Sequence, residues 1–411
     1  MIQIKLTAPV SGSIRACMEL PSSKSICNRA LVIHALAHGD QPLENLSDCD
    51  DTTVMLRALK DMPAVIDIMA AGTAMRFLTA YLAVGKGAHV ITGTQRMQQR
   101  PISILVNALR SLGADVEYAG NEGFPPLRIT GRELINQTVS LPGNVSSQYI
   151  SALLMIGPVL KNGLRLNLTG EVVSRPYIDL TLRLMKDFGA EAAWMGDHEL
   201  EVKPVPYKPH AYYVESDWSA ASYWYEICAL SENAVIELPG LFSDSMQGDR
   251  KVSELFARLG VETEYMGKKV VLRKKGDLPE RMDFNFVNQP DLAQTFVVTC
   301  AMLGIPFRFT GLQSLKIKET DRLSALVNEM KKLGYVITES DNSVLSWEGE
   351  RCLSEDCPAI DTYEDHRMAM AFAPACLKVK NMLVNNPQVV TKSYPHYWEH
   401  LAAAGFKIEN E

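Results

Sequence analysis

A repeat of about 73 residues runs through this chain and limits what it can fold into. Six stretches, 30–37, 77–84, 149–160, 221–230, 292–303 and 368–377, are apolar on every side, the pattern of a helix buried all round. Each is entered through a short polar run. Anchored on Lys24, Gly72, Ser146, Ser219, Asp291 and His366 in those runs, the steps are 48, 74, 73, 72 and 75 residues. Only the first step is short.

A second series lies between them, at 105–113, 182–189, 252–260, 326–334 and 398–405. These stretches are amphipathic, and each closes on a glycine before a β-rich run, which is a helix C-cap leading into a strand. The glycines are 76, 71, 74 and 71 residues apart. Thr52 to Met62 is a sixth copy that ends on Pro63 and comes about twenty residues early. The unit is therefore one buried helix, one exposed helix and strands, used six times in an α/β chain. At 411 residues with 47% apolar side chains, six units divide naturally into three and three.

The proline-punctuated passage Lys203 to His210 follows the third unit and puts a domain crossing at 211–216. Residues 2–20 form strands with no amphipathic helix before them, and are expected to complete the last unit after Phe406 to Ile408. The expected domains are 21–215, and 1–20 with 216–411, joined by a double hinge near 20–22 and 211–216. Two close crossings would let the domains close on a ligand.

A net charge of −7 and a pI near 5.7 supply no basic face, which argues against nucleic-acid or membrane-surface binding. Eight cysteines occur without a CxxC pair, Cys352 and Cys357 being the nearest neighbours, so neither a metal site nor a disulfide framework is expected. The chain opens as a strand without a signal-peptide pattern, and no apolar run approaches the ~18 residues of a membrane span. A cytoplasmic protein is the simplest expectation.

The chemistry sits at the heads of the buried helices. Lys24 and Arg29 begin an apolar helix, where a cation opposes the helix dipole and makes sense chiefly if an anion joins it. Gly72 leaves the backbone of the next helix head open to close approach. Ser146, Ser147 and Gln148 read equally as an N-cap cluster or as donors to a phosphate monoester. Lys318 and Arg322 repel at i,i+4 on an exposed helix start unless Glu319 or a bound anion relieves them. Asp291 suits a helix head for purely structural reasons as well. Arg100 before Pro101, with Arg96 one turn earlier, reads as a surface charge or an anion ligand.

These motifs are similar to those of the 5-enolpyruvylshikimate-3-phosphate (EPSP) synthase family. Pro21 to Arg29, Ala71-Gly-Thr-Ala-Met-Arg76, Gln99-Arg-Pro-Ile102, Val145-Ser-Ser-Gln148, Ser174-Arg-Pro-Tyr177, Lys318-Glu-Thr-Asp-Arg322, Asp365-His-Arg367 and Thr391-Lys392 match in order over essentially the whole chain. The resemblance implies a two-domain inside-out α/β barrel, six βαβαββ-type repeats with three per domain, the first shortened. It implies transfer of the enolpyruvyl group of phosphoenolpyruvate to the 5-hydroxyl of shikimate 3-phosphate, with glyphosate as inhibitor, no metal or organic cofactor, and a monomer. It assigns Asp291, Glu319 and Lys24 to catalysis. Lys24, Ser25, Arg29, Ser146, Ser147, Gln148, Ser174, Tyr177, Asp291 and Lys318 are assigned to shikimate 3-phosphate. Lys24, Gly72, Arg100, Gln148, Arg322, Arg367 and Lys392 are assigned to phosphoenolpyruvate. His366 is not in the assigned set, and beside Arg367 it reads as a residue that orients its neighbour. Two positions depart from the family pattern: Ala70 replaces an Asn and Gln99 a Glu.

Two other functions stay open on the sequence. A UDP-N-acetylglucosamine enolpyruvyl transferase would share the fold, but that family has Lys-Asn where Lys24-Ser25 stands and a Cys within the loop at 91–100, where this chain has none. A phosphate-ligand binding protein without turnover would explain Ala70 and the short first unit.

Overall fold

The computed structural model describes residues 2–10 and 12–411, which divide into two compact units, Ser22–Val214 and Met1–Pro21 with Glu215–Glu411.

In the first unit, α1 (Lys24–Leu36), α3 (Gly72–Val84) and α5 (Ser147–Ile156) pack on one another and are buried along almost their whole length. Between them in sequence run α2 (Asp50–Asp61), α4 (Ser103–Leu112) and α6 (Arg175–Asp187), which bury one face each. Gly113 and Gly189 take the left-handed conformation after α4 and α6, at φ 103° and 83°. Met62 does the same after α2 at φ 40°, despite its side chain.

The second unit repeats the plan. Here α7 (Trp218–Leu230), α9 (Ala293–Leu303) and α11 (His366–Phe372) are buried, and α8 (Val252–Ala257), α10 (Arg322–Lys332) and α12 (Tyr397–Ala403) lie outside them. In its core Phe296 of α9 meets Phe256 at 4.6 Å and Phe286 at 5.5 Å. Truncating so buried a ring to alanine typically costs ~3–5 kcal/mol.

Each complete repeat of the sequence builds one four-stranded sheet. Val65–Asp67 pairs in parallel with Ala88–Thr92, with α3 crossing between them; Ala88–Thr92 then pairs antiparallel with Leu127–Thr130, and that strand with Asp115–Tyr118. The same order recurs for 138–142, 164–169, 199–202 and 192–194, and for 282–285, 307–310, 344–347 and 338–340. The first repeat keeps only the parallel pair, Leu43–Glu44 with Tyr212–Tyr213, and α2 runs on directly to Val65. A missing hairpin is thus the physical content of the short step of 48 residues.

The N-terminal strands correct one expectation. Gln3–Thr7 does complete the last sheet, between Met382–Asn385 and Lys407–Asn410. Ser13–Cys17 instead pairs in parallel with Asn233–Pro239 and belongs to the fourth repeat. The reason is topological: α7 needs a parallel strand on its N-terminal side, and the strand that precedes it in sequence, Tyr212–Tyr213, is paired with Leu43–Glu44. No helix of the described residues is long and apolar enough to cross a membrane.

Candidate active site

The heads of the buried helices differ between the two units. Those of α1 and α3 have no side-chain cap and no acid in the first turn, and α5 is capped by the neutral Ser146, which accepts from Gln148 N at 3.3 Å. In the second unit each head carries an aspartate: Asp217 caps α7, Asp365 caps α11, and Asp291 lies in the turn leading into α9. Open N–H groups favour an external anion, whereas an aspartate satisfies them internally.

In the first unit Arg100 is 9% exposed, and its side chain has no hydrogen-bond or ion-pair partner among the described residues. Its guanidinium lies over Gly72: a Cβ there would stand 2.6 Å from Nη1. The loop carrying it is fixed at Pro101 O, which accepts from Tyr149 O–H at 2.6 Å and Arg76 Nη2 at 3.3 Å. Gln148 Nε2 donates to Thr73 Oγ1 at 3.2 Å, joining the heads of α5 and α3. Lys24 Nζ lies 3.2 Å from Asp51 Oδ2 on the first turn of α2.

Arg29 is buried and works mainly as a tie. It donates to Thr181 Oγ1 at 2.7 Å, Ser25 O at 2.8 Å, Ser151 Oγ at 3.2 Å and Tyr177 O at 3.4 Å, linking α1 to α5 and α6. Burial pulls its guanidinium down to about 10. Ser174 is buried in the left-handed conformation at φ 55° before α6, and Tyr177 follows on the first turn. Ser147 is buried beside Ser146.

In the second unit all six predicted residues form one network. Asp291 Oδ1 receives Arg322 Nη1 at 3.2 Å and has Lys318 Nζ at 3.8 Å, while Oδ2 receives Arg367 Nη2 at 3.0 Å. Glu319 joins Arg322 Nη2 at 3.1 Å to Lys392 Nζ at 2.7 Å. Burial would raise the Asp291 carboxyl, but Arg367, Lys318 and Arg322 hold it well below the usual carboxylate range. Lys318 and Arg322 do not share an exposed helix start, as their spacing implies: α10 begins at Arg322, which is 1% exposed. The anticipated repulsion is absorbed by Asp291 and Glu319, with Lys318 outside the helix.

Three aspartates that pair with the predicted residues or act on them through charge are not assigned from sequence. Asp365 grips Arg322 at 2.7 and 3.2 Å through both oxygens, and His366 Nδ1 lies 3.6 Å from its Oδ1. Asp51 meets Lys24 as described. Asp249 is buried, accepts from Ser219 Oγ at 2.5 Å, and is pushed up to about 7 by burial and then by the charge of Asp291, with Arg367 and Ser219 opposing. The aspartate of Asp365-His-Arg367 was visible as part of a motif. Nothing local marks the other two, because their partners lie about 30 residues away.

Chemically, the first unit offers donors and cations to an anion, with no carboxylate paired to Arg29 or Arg100 among the described residues. The second unit threads three carboxylates, those of Asp291, Glu319 and Asp365, among four cations. An arriving anion competes with Asp291 and Glu319 for those cations, which makes the carboxyls better proton acceptors.

A family model described as EPSP synthase (3-phosphoshikimate 1-carboxyvinyltransferase) matches residues 7–69 and 62–401. The two matched segments overlap just after α2, where the first repeat lacks its hairpin. A curated protein of Bacteroides fragilis named 3-phosphoshikimate 1-carboxyvinyltransferase is 65% identical over 404 residues, 98% of each chain. One of the same name from Vibrio campbellii is 36% identical, covering 97% of this chain and 99% of its own. Among solved structures, an EPSP synthase of Acinetobacter baumannii superposes with a TM-score of 0.79 at 22% identity over the full length of both chains, which shows the fold. With a family model spanning nearly all of it and relatives this similar end to end, the chain belongs to the EPSP synthase (3-phosphoshikimate 1-carboxyvinyltransferase) family.

Proposed function

We infer that the chain is a 3-phosphoshikimate 1-carboxyvinyltransferase, moving the enolpyruvyl group of phosphoenolpyruvate to the 5-hydroxyl of shikimate 3-phosphate and releasing phosphate. The observation that carries this reading is the second unit's network, in which Asp291 and Glu319 share Lys318, Arg322, Arg367 and Lys392. Both substrates bring phosphate or carboxylate groups, and the reaction must move two protons.

In the addition step the 5-oxygen bonds to C2 of phosphoenolpyruvate, the hydroxyl proton leaves to a base, and C3 gains a proton. In the elimination step C3 loses a proton, the C2=C3 bond re-forms, and phosphate departs from C2. Asp291, held ionised by its three cations, accepts the hydroxyl proton. Glu319 delivers and recovers the C3 proton once substrate anions have taken part of Arg322 and Lys392 from it. Lys24 assists and steadies the leaving phosphate.

Shikimate 3-phosphate binding falls to Lys24, Ser25, Arg29, Ser146, Ser147, Gln148, Ser174 and Tyr177 in the first unit, and to Asp291 and Lys318 in the second. Phosphoenolpyruvate binding falls to Lys24, Gly72, Arg100 and Gln148, and to Arg322, Arg367 and Lys392. The unpartnered guanidinium of Arg100 supports the second set, because a buried cation without a counter-ion is costly unless a ligand completes it.

A coupled phosphate-release assay tests the reading. Release is expected only when phosphoenolpyruvate and shikimate 3-phosphate are both present, and not when UDP-N-acetylglucosamine replaces the latter. Binding of both substrates with no release over hours would identify a binding protein instead.

A further inference from the structure

Asp365 stands on a turn its own sequence does not favour. Asp365 N donates to Thr362 O at 2.8 Å, closing a four-residue turn whose central residues, Tyr363 and Glu364, have φ of 53° and 56°. Two positive φ values in succession belong to the type I′ turn, which selects Asn-Gly because a side chain crowds the backbone there. Bulky residues in this geometry persist only where their surroundings fix them.

The surroundings are specific. Tyr363 O–H donates to Glu329 Oε1 at 2.7 Å, and Asp361 N and Lys332 Nζ reach Glu329 Oε2 at 3.0 and 2.8 Å. Glu329 has no exposed surface and lies seven residues after Arg322 in α10, on the same helix face two turns along. Lys332 Nζ also meets Asp361 Oδ2 at 2.8 Å, and Asn385 Nδ2 donates to Asp361 Oδ1 at 2.7 Å. Segment 361–367 is therefore tied to α10 at two levels, by Glu329 and by Arg322.

We propose that Tyr363 and Glu329 form an anchor that holds the Tyr363-Glu364 turn in its unfavoured conformation, and so fixes where Asp365 presents its carboxylate to Arg322 and to the backbone of Arg367. Both are positioning residues, acting through Asp365 and touching no substrate. The proposal rests on the transferase reading for its kinetic consequence, but not for its structural one.

Four proteins test it: the parent, Tyr363→Phe, Glu364→Gly, and the double variant. Misplacing a reacting group by a fraction of an ångström costs on the order of tenfold in rate. Tyr363→Phe is accordingly expected to lower kcat about tenfold and to speed amide exchange across 361–367 by a similar factor. Glycine takes positive φ without a clash, so adding Glu364→Gly should restore most of both. A Tyr363→Phe enzyme with parental kcat and parental exchange would overturn the proposal, and so would a loss that Glu364→Gly does not recover. If the parent itself releases no phosphate, the transferase reading fails, and exchange at 361–367 in the same four proteins still decides for or against the anchor.

Discussion

Arg100 and Gly72 share one space: Nη1 of the guanidinium lies 2.6 Å, and Cζ 3.2 Å, from where a Cβ at position 72 would stand. A cation thus sits over the uncapped head of α3, where the helix dipole repels it. An anion settling there would satisfy the guanidinium and the first N–H groups of the helix together.

Gly72→Ala should leave the fold intact, because the methyl meets the far end of a flexible side chain, but it should turn the guanidinium aside. The KM for phosphoenolpyruvate is expected to rise roughly tenfold, about 1.4 kcal/mol of lost binding. If glyphosate, a slightly larger molecule, competes for this site, its inhibition constant should rise further. Steady-state kinetics with and without inhibitor check both, and unchanged constants would place phosphoenolpyruvate elsewhere.

Arg100→Met removes a buried charge that has no partner among the described residues. Its melting temperature should equal or exceed the parent's by a few degrees, since ~1 kcal/mol corresponds to about 2–4 °C in a unit of this size. Phosphoenolpyruvate should raise the parent's melting temperature and leave the variant's where it is. A variant that melts lower and still responds to ligand would make Arg100 a structural residue.

Asp291→Asn and Glu319→Gln should each lower kcat by ~10² to 10⁴, the usual cost of losing a general acid or base. They should differ in stability. Asp291→Asn strips a counter-ion from Arg367, Lys318 and Arg322 at once, and such losses typically cost ~3–5 kcal/mol. Glu319→Gln keeps an oxygen for one of its two cations. Calorimetry with shikimate 3-phosphate should find binding retained in Glu319→Gln and weakened in Asp291→Asn. Near-parental kcat in either variant would leave that residue a purely structural role.

Asp249 gives a pH test with a definite sign. Its carboxyl rises to about 7 in the folded chain, against an ordinary aspartate value of about 3.9. Between those values the folded chain binds the proton more tightly than the unfolded one, so stability falls as pH rises through this window, by at most about 1.4 kcal/mol per unit. Asp249→Asn cannot ionise and can still accept from Ser219. It should match the parent near pH 4 and melt higher than the parent at pH 8. A difference that ignores pH would mean that Asp249 is ionised in the fold.

What the sequence made legible was whatever is periodic. All six apolar stretches fall in buried helices, and the five closing glycines lie where helices end, because burial on every side and a left-handed cap are local demands that leave local traces. The reach of Ser13–Cys17 to Asn233–Pro239 left no trace, since either parallel slot accepts the same alternation of residues. In the site, the cations and carboxylates at the helix heads were visible as motifs, and their pairing was not. Lys318 and Arg322 read as a clash until Asp291, 31 residues away in sequence from Arg322, is seen between them. Arg29 read as a ligand group, yet most of its donors serve α5 and α6.

Gln3 and Asn385, hydrogen-bonded at 2.7 Å, are 382 residues apart in sequence. The strand Gln3–Thr7 leaves the ribosome well before its two neighbours, Met382–Asn385 and Lys407–Asn410. At ~5–20 residues per second it waits about 20–80 s without its partners, long enough for Ser22–Val214 to be made and to fold in the meantime. The last sheet can close only once Lys407–Asn410 has been made. A product that ends before Met382 would therefore contain all of Ser22–Val214 and leave Gln3–Thr7 as an open sheet edge, and that edge would tell it apart from a chain whose last sheet has closed.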